Sequence, residues 1–257
     1  MDPEVRTLVD ISETPAALES QADIVLERAK WAAEIFQRYD RDTTMNIVNN
    51  VAKIAYQNAG KYANWAVEET GFGVAAHKKI KNELTTYTLV EFYQDKDFVN
   101  SIVDKNQKIV KIPRPAGVII ALIPSTNPIA TLNYKIILSL MTRNAIVISP
   151  HPAARACSVD ATYTLIEAAL DAGAPDGSIQ IIEKPTIPLI EELMKSSKTS
   201  VTLATGGSAM VRSAYSSSNP AIGVGPGNAP VYVDSVSYTH LRAHETLRYL
   251  VCRLLLE

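Results

Sequence analysis

The sequence predicts an α/β chain, with a Rossmann-like, doubly wound parallel sheet preceded by a helical N-terminal segment. Three observations carry this. Five short apolar runs, at 118–123, 145–148, 178–182, 200–203 and 229–233, are near-continuously aliphatic, as strands buried on both faces are. Segments of helical period at 128–141, 152–172 and 187–195 lie between most of them, and such alternation implies a parallel sheet covered by helices on both faces. The first hundred residues carry helical spacing only, so the sheet begins late in the chain. Right-handed crossovers then make the sheet doubly wound, with any ligand in the crevice at the carboxyl ends of its strands.

The bulk numbers allow a sizeable core and exclude several classes. The chain has 257 residues, 47% hydrophobic and 20% charged, with a net charge of −2. That balance is ordinary for a globular protein and exerts no general pull on nucleic acid or anionic membranes. No apolar run reaches the ~18 residues of a membrane helix, and the acidic, polar start MDPEVRTLVDISE is unlike an export signal. The two cysteines, Cys157 and Cys252, have neither disulfide-framework nor metal-ligand spacing, and no metal site is expected. A cytoplasmic protein acting on small molecules is the default expectation.

Taken in order, Thr14-Pro15 offers an N-cap followed by proline at the first helical position, where its missing N–H costs nothing. Val25, Ala29, Ala32 and Phe36 follow the helical period, as do Ile47, Val51 and Ile54, and core packing explains these stripes. Thr70-Gly71-Phe72-Gly73 breaks the pattern, and 74–97 continues it as one helix or a pair. The alternation at 107–112 suggests a strand in an outlying hairpin or sheet edge, ended by Arg114-Pro115-Ala116-Gly117. The expected organisation is a helical segment over 1–106, packing on a Rossmann-like part of the same domain over 107–236. Residues 237–257, SYTHLRAHETLRYLVCRLLLE, have no strand-and-loop logic and resemble a translated sequencing adapter. This tail is expected to be foreign and is excluded from the fold; a basic amphipathic helix is the other reading of it.

Four loops follow the expected strands. Ile123-Pro124-Ser125-Thr126-Asn127-Pro128 joins a strand to a helix, so its backbone N–H groups face the crevice and Asn127 adds an amide donor. A plain turn would use the same residue types. In Ser149-Pro150-His151-Pro152 a histidine held between prolines is placed to contact ribose, phosphate or thiol, although a stiffened helix entry would look alike. Thr205-Gly206-Gly207-Ser208 opens a helix at 209–215, where two glycines permit close backbone approach and the helix N-terminus favours phosphate. Gly223-Val224-Gly225-Pro226-Gly227-Asn228 is too glycine-rich for a simple hairpin and implies close approach to something. The first strand is not followed by GxGxxG, which disfavours an ordinary Rossmann dehydrogenase.

As a set, IPSTNP, RNAIVISPHP, GAPDG, LATGG and GVGPGN resemble the aldehyde dehydrogenase superfamily, over roughly residues 20 to 234. The likeness is to its CoA-acylating branch: acetylating acetaldehyde dehydrogenases, the N-terminal part of bifunctional aldehyde-alcohol dehydrogenases, and acylating sulfoacetaldehyde dehydrogenases. The resemblance implies an enzyme interconverting a short aldehyde with its acyl-CoA, using NAD or NADP and coenzyme A, homo-oligomeric in the intact parent. It makes 107–236 the dinucleotide-binding part. It implies oxyanion support from Asn127 and cofactor contacts from Ser125, Thr126, Ser149, Pro150, His151, Thr205, Gly206, Gly207, Ser208 and Gly225.

Two departures from the hydrolytic members are informative. Gly223 stands where those carry a glutamate that activates water, and without that base a thiol such as CoA can take the acyl group. Ser149 replaces a lysine that grips the adenosine ribose, leaving NAD against NADP open. The family nucleophile is a cysteine beyond the last matching residue, so the chain is expected to be truncated before it and to be inactive by itself. Cys252 lies within the foreign tail, and Cys157 is expected to be a buried structural thiol. The alternatives are a phosphate-releasing relative of the glutamyl-phosphate reductase type and a nucleotide-binding fragment without activity.

Overall fold

The computed structural model describes residues 14–224. The first helix, α1 (Pro15–Phe36), starts as the sequence suggests, with Thr14 accepting at its hydroxyl from Ala17 N at 3.4 Å. Next come α2 (Arg41–Gln57), capped by the Asp40 carboxylate on Thr43 N, and α3 (Ala59–Thr70), which ends on Gly71 at φ +70°. That left-handed C-cap is the break seen at Thr70-Gly71, and the region after it forms the pair α4 (Ala75–Leu84) and α5 (Tyr87–Phe92).

A two-stranded antiparallel ribbon follows, β1 (Ile102–Asp104) with β2 (Ile109–Lys111). The sequence pattern shows β2 and misses β1. The turn between them is shaped by Asp104, whose Oδ1 accepts from Asn106 N and Gln107 N, and by Lys108 at φ +54°.

The main sheet is wholly parallel, in the order β5-β4-β3-β6-β7. Its strands are β3 (Val118–Leu122), β4 (Ala145–Ser149), β5 (Ile179–Ile181), β6 (Val201–Thr205) and β7 (Ala221–Val224). They are joined by α6 (Pro128–Met141), a short 3₁₀ turn (Pro152–Ala154) leading into α7 (Arg155–Asp171), α8 (Ile187–Lys195) and α9 (Ser208–Tyr215). The helices α6 and α8 have the bounds their periodicity predicts.

The apolar side chains of β3 and β4 divide between two cores, alternating as the pleat requires. Ile119 and Ala121 of β3 and Ile146 and Ile148 of β4 pack with α2, α6 and α7. Val118, Ile120 and Leu122 together with Ala145 and Val147 pack with α1, α8 and α9 on the opposite face. The N-terminal helices therefore cover the sheet on both sides, α1 on one and α2 on the other. Every residue of β3 and β4 is buried, hence the unbroken aliphatic runs.

The connections β3–α6–β4–α7–β5 step one way across the sheet, and β6 then returns to the other side of β3. Strand order thus reverses between β3 and β6, and at such a switch point the loops leaving neighbouring strands part to open a crevice. Register brings the strand ends level, since Leu122 sits opposite Ser149 on one side and Ala204 on the other.

The strand β7 differs from expectation, because Gly223 and Val224 pair with Ala204 and Thr205 as sheet residues where a loop is predicted. The glycine at 223 answers to packing: a Cβ there would stand 2.7 Å from Val211 Cγ1 and 2.9 Å from Tyr215 Cε2. The close approach its composition implies is to α9. The expected strand at 229–233, Gly225 and the tail at 237–257 lie outside the described residues. Among the described residues, no helix is long and apolar enough to cross a membrane.

Candidate functional site

The loops after β3, β4, β5 and β6 open onto one cleft of about 390 Å³ at the carboxyl ends of the sheet. Its walls are Ile123 and Pro124 after β3, Ser149-Pro150-His151-Pro152 after β4, and Thr205, Gly206, Gly207 and Met210 after β6. Of the site residues the sequence singles out, Ser149, Pro150, His151, Thr205, Gly206 and Gly207 line this cleft. Ser208 comes next, as the first residue of α9. Ser125 and Thr126 follow Pro124 in the same loop without forming the cleft wall. Asn127 begins α6 at φ −148°, ψ 58°, and does not use its side chain as the helix cap. An asparagine in that position normally accepts at its Oδ1 from the first helical N–H groups; without that bond the helix does not fix how the side-chain amide is turned.

The helices that start near the cleft differ in how their first amides are met. The carboxylate of Glu69 caps α7, accepting from Ala156 N at 2.7 Å and Cys157 N at 2.8 Å. The hydroxyl of Thr186 caps α8, accepting from Leu189 N at 3.4 Å. By contrast α9 starts at Gly207 with no side-chain cap. Its leading N–H groups and the positive end of its dipole are thus presented at the wall built by Gly206 and Gly207. Gly206 sits at φ +154°, and a Cβ there would meet nothing within 4 Å. Such a wall suits an anion approached closely by backbone.

His151 is exposed, and its Nδ1 accepts from Ala153 N at 3.1 Å. That bond places the proton of the neutral ring on Nε2, leaving a donor outside the local turn. No aspartate or glutamate among the described residues lines the cleft. An anionic ligand meets no carboxylate there.

Sequence reasoning missed the loop after β5. Pro185, Thr186, Ile187 and Ile190 complete the apolar side of the cleft, though nothing in their composition marks them. It also missed Lys135, whose signal is visible afterwards: a lysine inside the apolar helix PIATLNYKIILSLM, which is buried on nearly all sides. Lys135 is 3% exposed and its Nζ donates to Leu122 O and Leu203 O, both at 2.7 Å, and to Thr205 Oγ1 at 3.0 Å. Thr205 Oγ1 in turn donates to Leu122 O at 2.8 Å. The ends of β3 and β6, where the strand order reverses, are stitched together beneath the cleft. Burial pushes the Lys135 ammonium down to about 7.

Cys157 is fully buried in the first turn of α7, and its thiol donates to Ala154 O at 3.5 Å. Burial, reinforced by Glu69, pushes the thiol up to about 12, the reverse of what a nucleophile needs. Site-resolved alkylation of the native chain at pH 8 is expected to leave Cys157 unmodified until the fold is opened with denaturant. Modification at the rate of an exposed thiol would make this environment wrong.

Similar proteins share this architecture. The aldehyde dehydrogenase family profile matches residues 3–234. The aldehyde-alcohol dehydrogenase of Clostridium acetobutylicum is 40% identical over 220 residues, covering 85% of this chain and 25% of that protein. An acetylating aldehyde dehydrogenase from Geobacillus thermoglucosidasius has a crystal structure that matches with a TM-score of 0.81 at 40% identity, over 89% of this chain and 50% of that one. The propionaldehyde dehydrogenase of Rhodopseudomonas palustris, crystallised with bound CoA and an acylated cysteine, matches with a TM-score of 0.69 at 29% identity, over 79% of this chain and 46% of that one. The chain spans between a quarter and a half of the length of these proteins.

Proposed function

The chain belongs to the aldehyde dehydrogenase family, and from that premise we propose that it forms the nicotinamide dinucleotide cleft and supplies the oxyanion donor of a CoA-acylating member. The reaction is the interconversion of a short aldehyde and CoA with the corresponding acyl-CoA, using NAD or NADP. One observation carries this reading: the loops after β3, β4 and β6 line a single cleft, and α9 starts at its wall without a side-chain cap.

The residues fit a dinucleotide. The uncapped start of α9, with Gly206, Gly207 and Ser208, suits a pyrophosphate. Thr205 is fixed from below by Lys135, so the turn that meets the phosphates is held in place. The prolines at 150, 152 and 185, with Ile187, Ile190 and Met210, offer the apolar faces an adenine ring packs on. Ser149 and the Nε2–H of His151 are the polar groups for the ribose side. Bound there, the nicotinamide supplies hydride acceptance and return. Asn127, its amide uncommitted to the helix, is the donor for the oxyanion that develops on the aldehyde carbon's oxygen.

Gly223 bears on the choice between CoA and water. Any side chain there would collide with Val211 and Tyr215, and the Tyr215 hydroxyl accepts from Gly223 N at 3.0 Å. No carboxylate base is offered from this position, so release of the acyl group to a thiol is favoured over hydrolysis. The test is titration of the isolated chain with NADH, followed by fluorescence and calorimetry. Saturable binding is expected with a Kd on the order of 1 mM, about −4 kcal/mol. No saturable signal at concentrations well above this would overturn the reading.

A further inference from the structure

We propose that Lys78 is a positioning residue that fixes the 123–127 loop, and with it Asn127, against the end of the sheet. The functional meaning of this placement rests on the reading of Asn127 given above. Among the described residues two lysines are buried, Lys78 at 5% and Lys135 at 3% exposure. Both bind the same loop, one at each end. Lys135 holds the carbonyl of Leu122, the residue before it, and the Lys78 ammonium donates to Thr126 O at 2.8 Å, one residue before Asn127.

Lys78 reaches the loop from α4, which packs across α6. The chain entering α4 bends around its stem: Gly73 is at φ +79°, and a Cβ there would lie 3.2 Å from Lys78 Cε. No salt bridge to Lys78 forms among the described residues. Burial, and then the nearby Lys81, hold its ammonium below the usual lysine range. A methionine of similar shape would avoid that cost, so the charge is not explained by packing. Its one hydrogen-bond acceptor here is a carbonyl of an otherwise exposed residue, Thr126. A loop end that would face water is thereby tied from the inside, and Asn127 is held in its non-helical backbone conformation.

The test uses the full chain, ¹⁵N-labelled, with Lys78→Met, Lys78→Gln and Lys78→Arg. In K78M the order parameters at residues 125–127, including the Asn127 side-chain amide, are expected to fall from about 0.85 to below about 0.6. The melting temperature should stay level or rise, because the desolvation cost is gone. K78R, which keeps a cationic donor, should restore order. K78Q, too short to reach the carbonyl, should give the same local loss and serves if the methionine variant does not fold. Unchanged order parameters in the loss variants, or a fall spread equally over α4 and α6, would overturn the role of Lys78. NADH titration of the unsubstituted chain reports separately: no binding there counts against the cleft, not against the lysine.

Discussion

Replacing Gly206 with valine is expected to abolish nicotinamide dinucleotide binding, with at most about 1–3 kcal/mol lost from stability as backbone strain. Two separate facts set the two outcomes. The φ of +154° is one a β-branched residue rarely adopts, and this produces the strain. The space the side chain would enter is free of protein, with no atom within 4 Å of the Cβ position. No core clash adds to the cost, and a domain with a stability of about 5–15 kcal/mol survives it. Gly206 lines the cleft just before the start of α9, so on the proposed reading the valine crowds the approach of a phosphate. Gly207 is the control: its φ of −65° suits any residue, and Gly207→Ala should weaken binding without abolishing it. Calorimetry with NADH, alongside a melting curve, separates the effects. An unchanged Kd in G206V would remove this turn from the site.

The second large effect concerns Lys135. In Lys135→Met the carbonyl of Leu203 loses a partner and that of Leu122 keeps only Thr205. Each buried acceptor left unmet costs about 1–3 kcal/mol. Removing a buried charge acts the other way, and pH separates the two. The folded-state value of about 7 lies below an unfolded lysine at about 10.4, so between these the unfolded chain binds more protons. The contribution of this group to stability therefore rises as pH climbs from about 7 toward about 10, and is constant below about 7. At ~1.4 kcal/mol per pH unit the gain is bounded by about 5 kcal/mol. Urea denaturation of both proteins should show K135M less stable by a few kcal/mol near pH 9.5, and by clearly less near pH 7. A gap that does not change with pH would mean that the three acceptors hold the ammonium charged throughout.

How much of this was legible depended on whether a residue's surroundings are local. The bounds of α6 and α8 follow from period and from prolines at their starts, and the end of α3 follows from a glycine that takes a left-handed cap. The buried strands β3 and β4 announce themselves because both faces are covered. The strand β1 offers only Ile102–Asp104, too few residues for an alternation to show, whereas the alternation around β2 runs over 107–112. A glycine hides β7, and the reason for that glycine, the ring of Tyr215, is visible only when α9 is in place. The two lysines fail in opposite ways. Lys135 breaks an apolar helix and was open to notice, whereas Lys78 stands in the basic run HKKIKN, which looks like a solvated face until α6 covers one of its members. The loops were recognisable as loops, but which residues reach the cleft depends on register between strands far apart in sequence.

The place of β6 in the sheet has a kinetic meaning. The strands β5, β4 and β3 are linked by successive crossovers, so they can assemble from neighbouring pieces of chain. Pairing β6 with β3 instead closes a long loop, typified by Val118 N donating to Ser200 Oγ across 82 positions. Long-range closure of this kind is the slow, entropically costly part of reaching a native topology. The cleft has one wall from each side of that seam. It is therefore absent from every partly folded form that lacks β6, and a nucleotide able to bind there recognises only chains in which the seam has closed. Ligand would act as a latch on the last-formed pairing, stabilising the finished sheet without assisting its earlier stages.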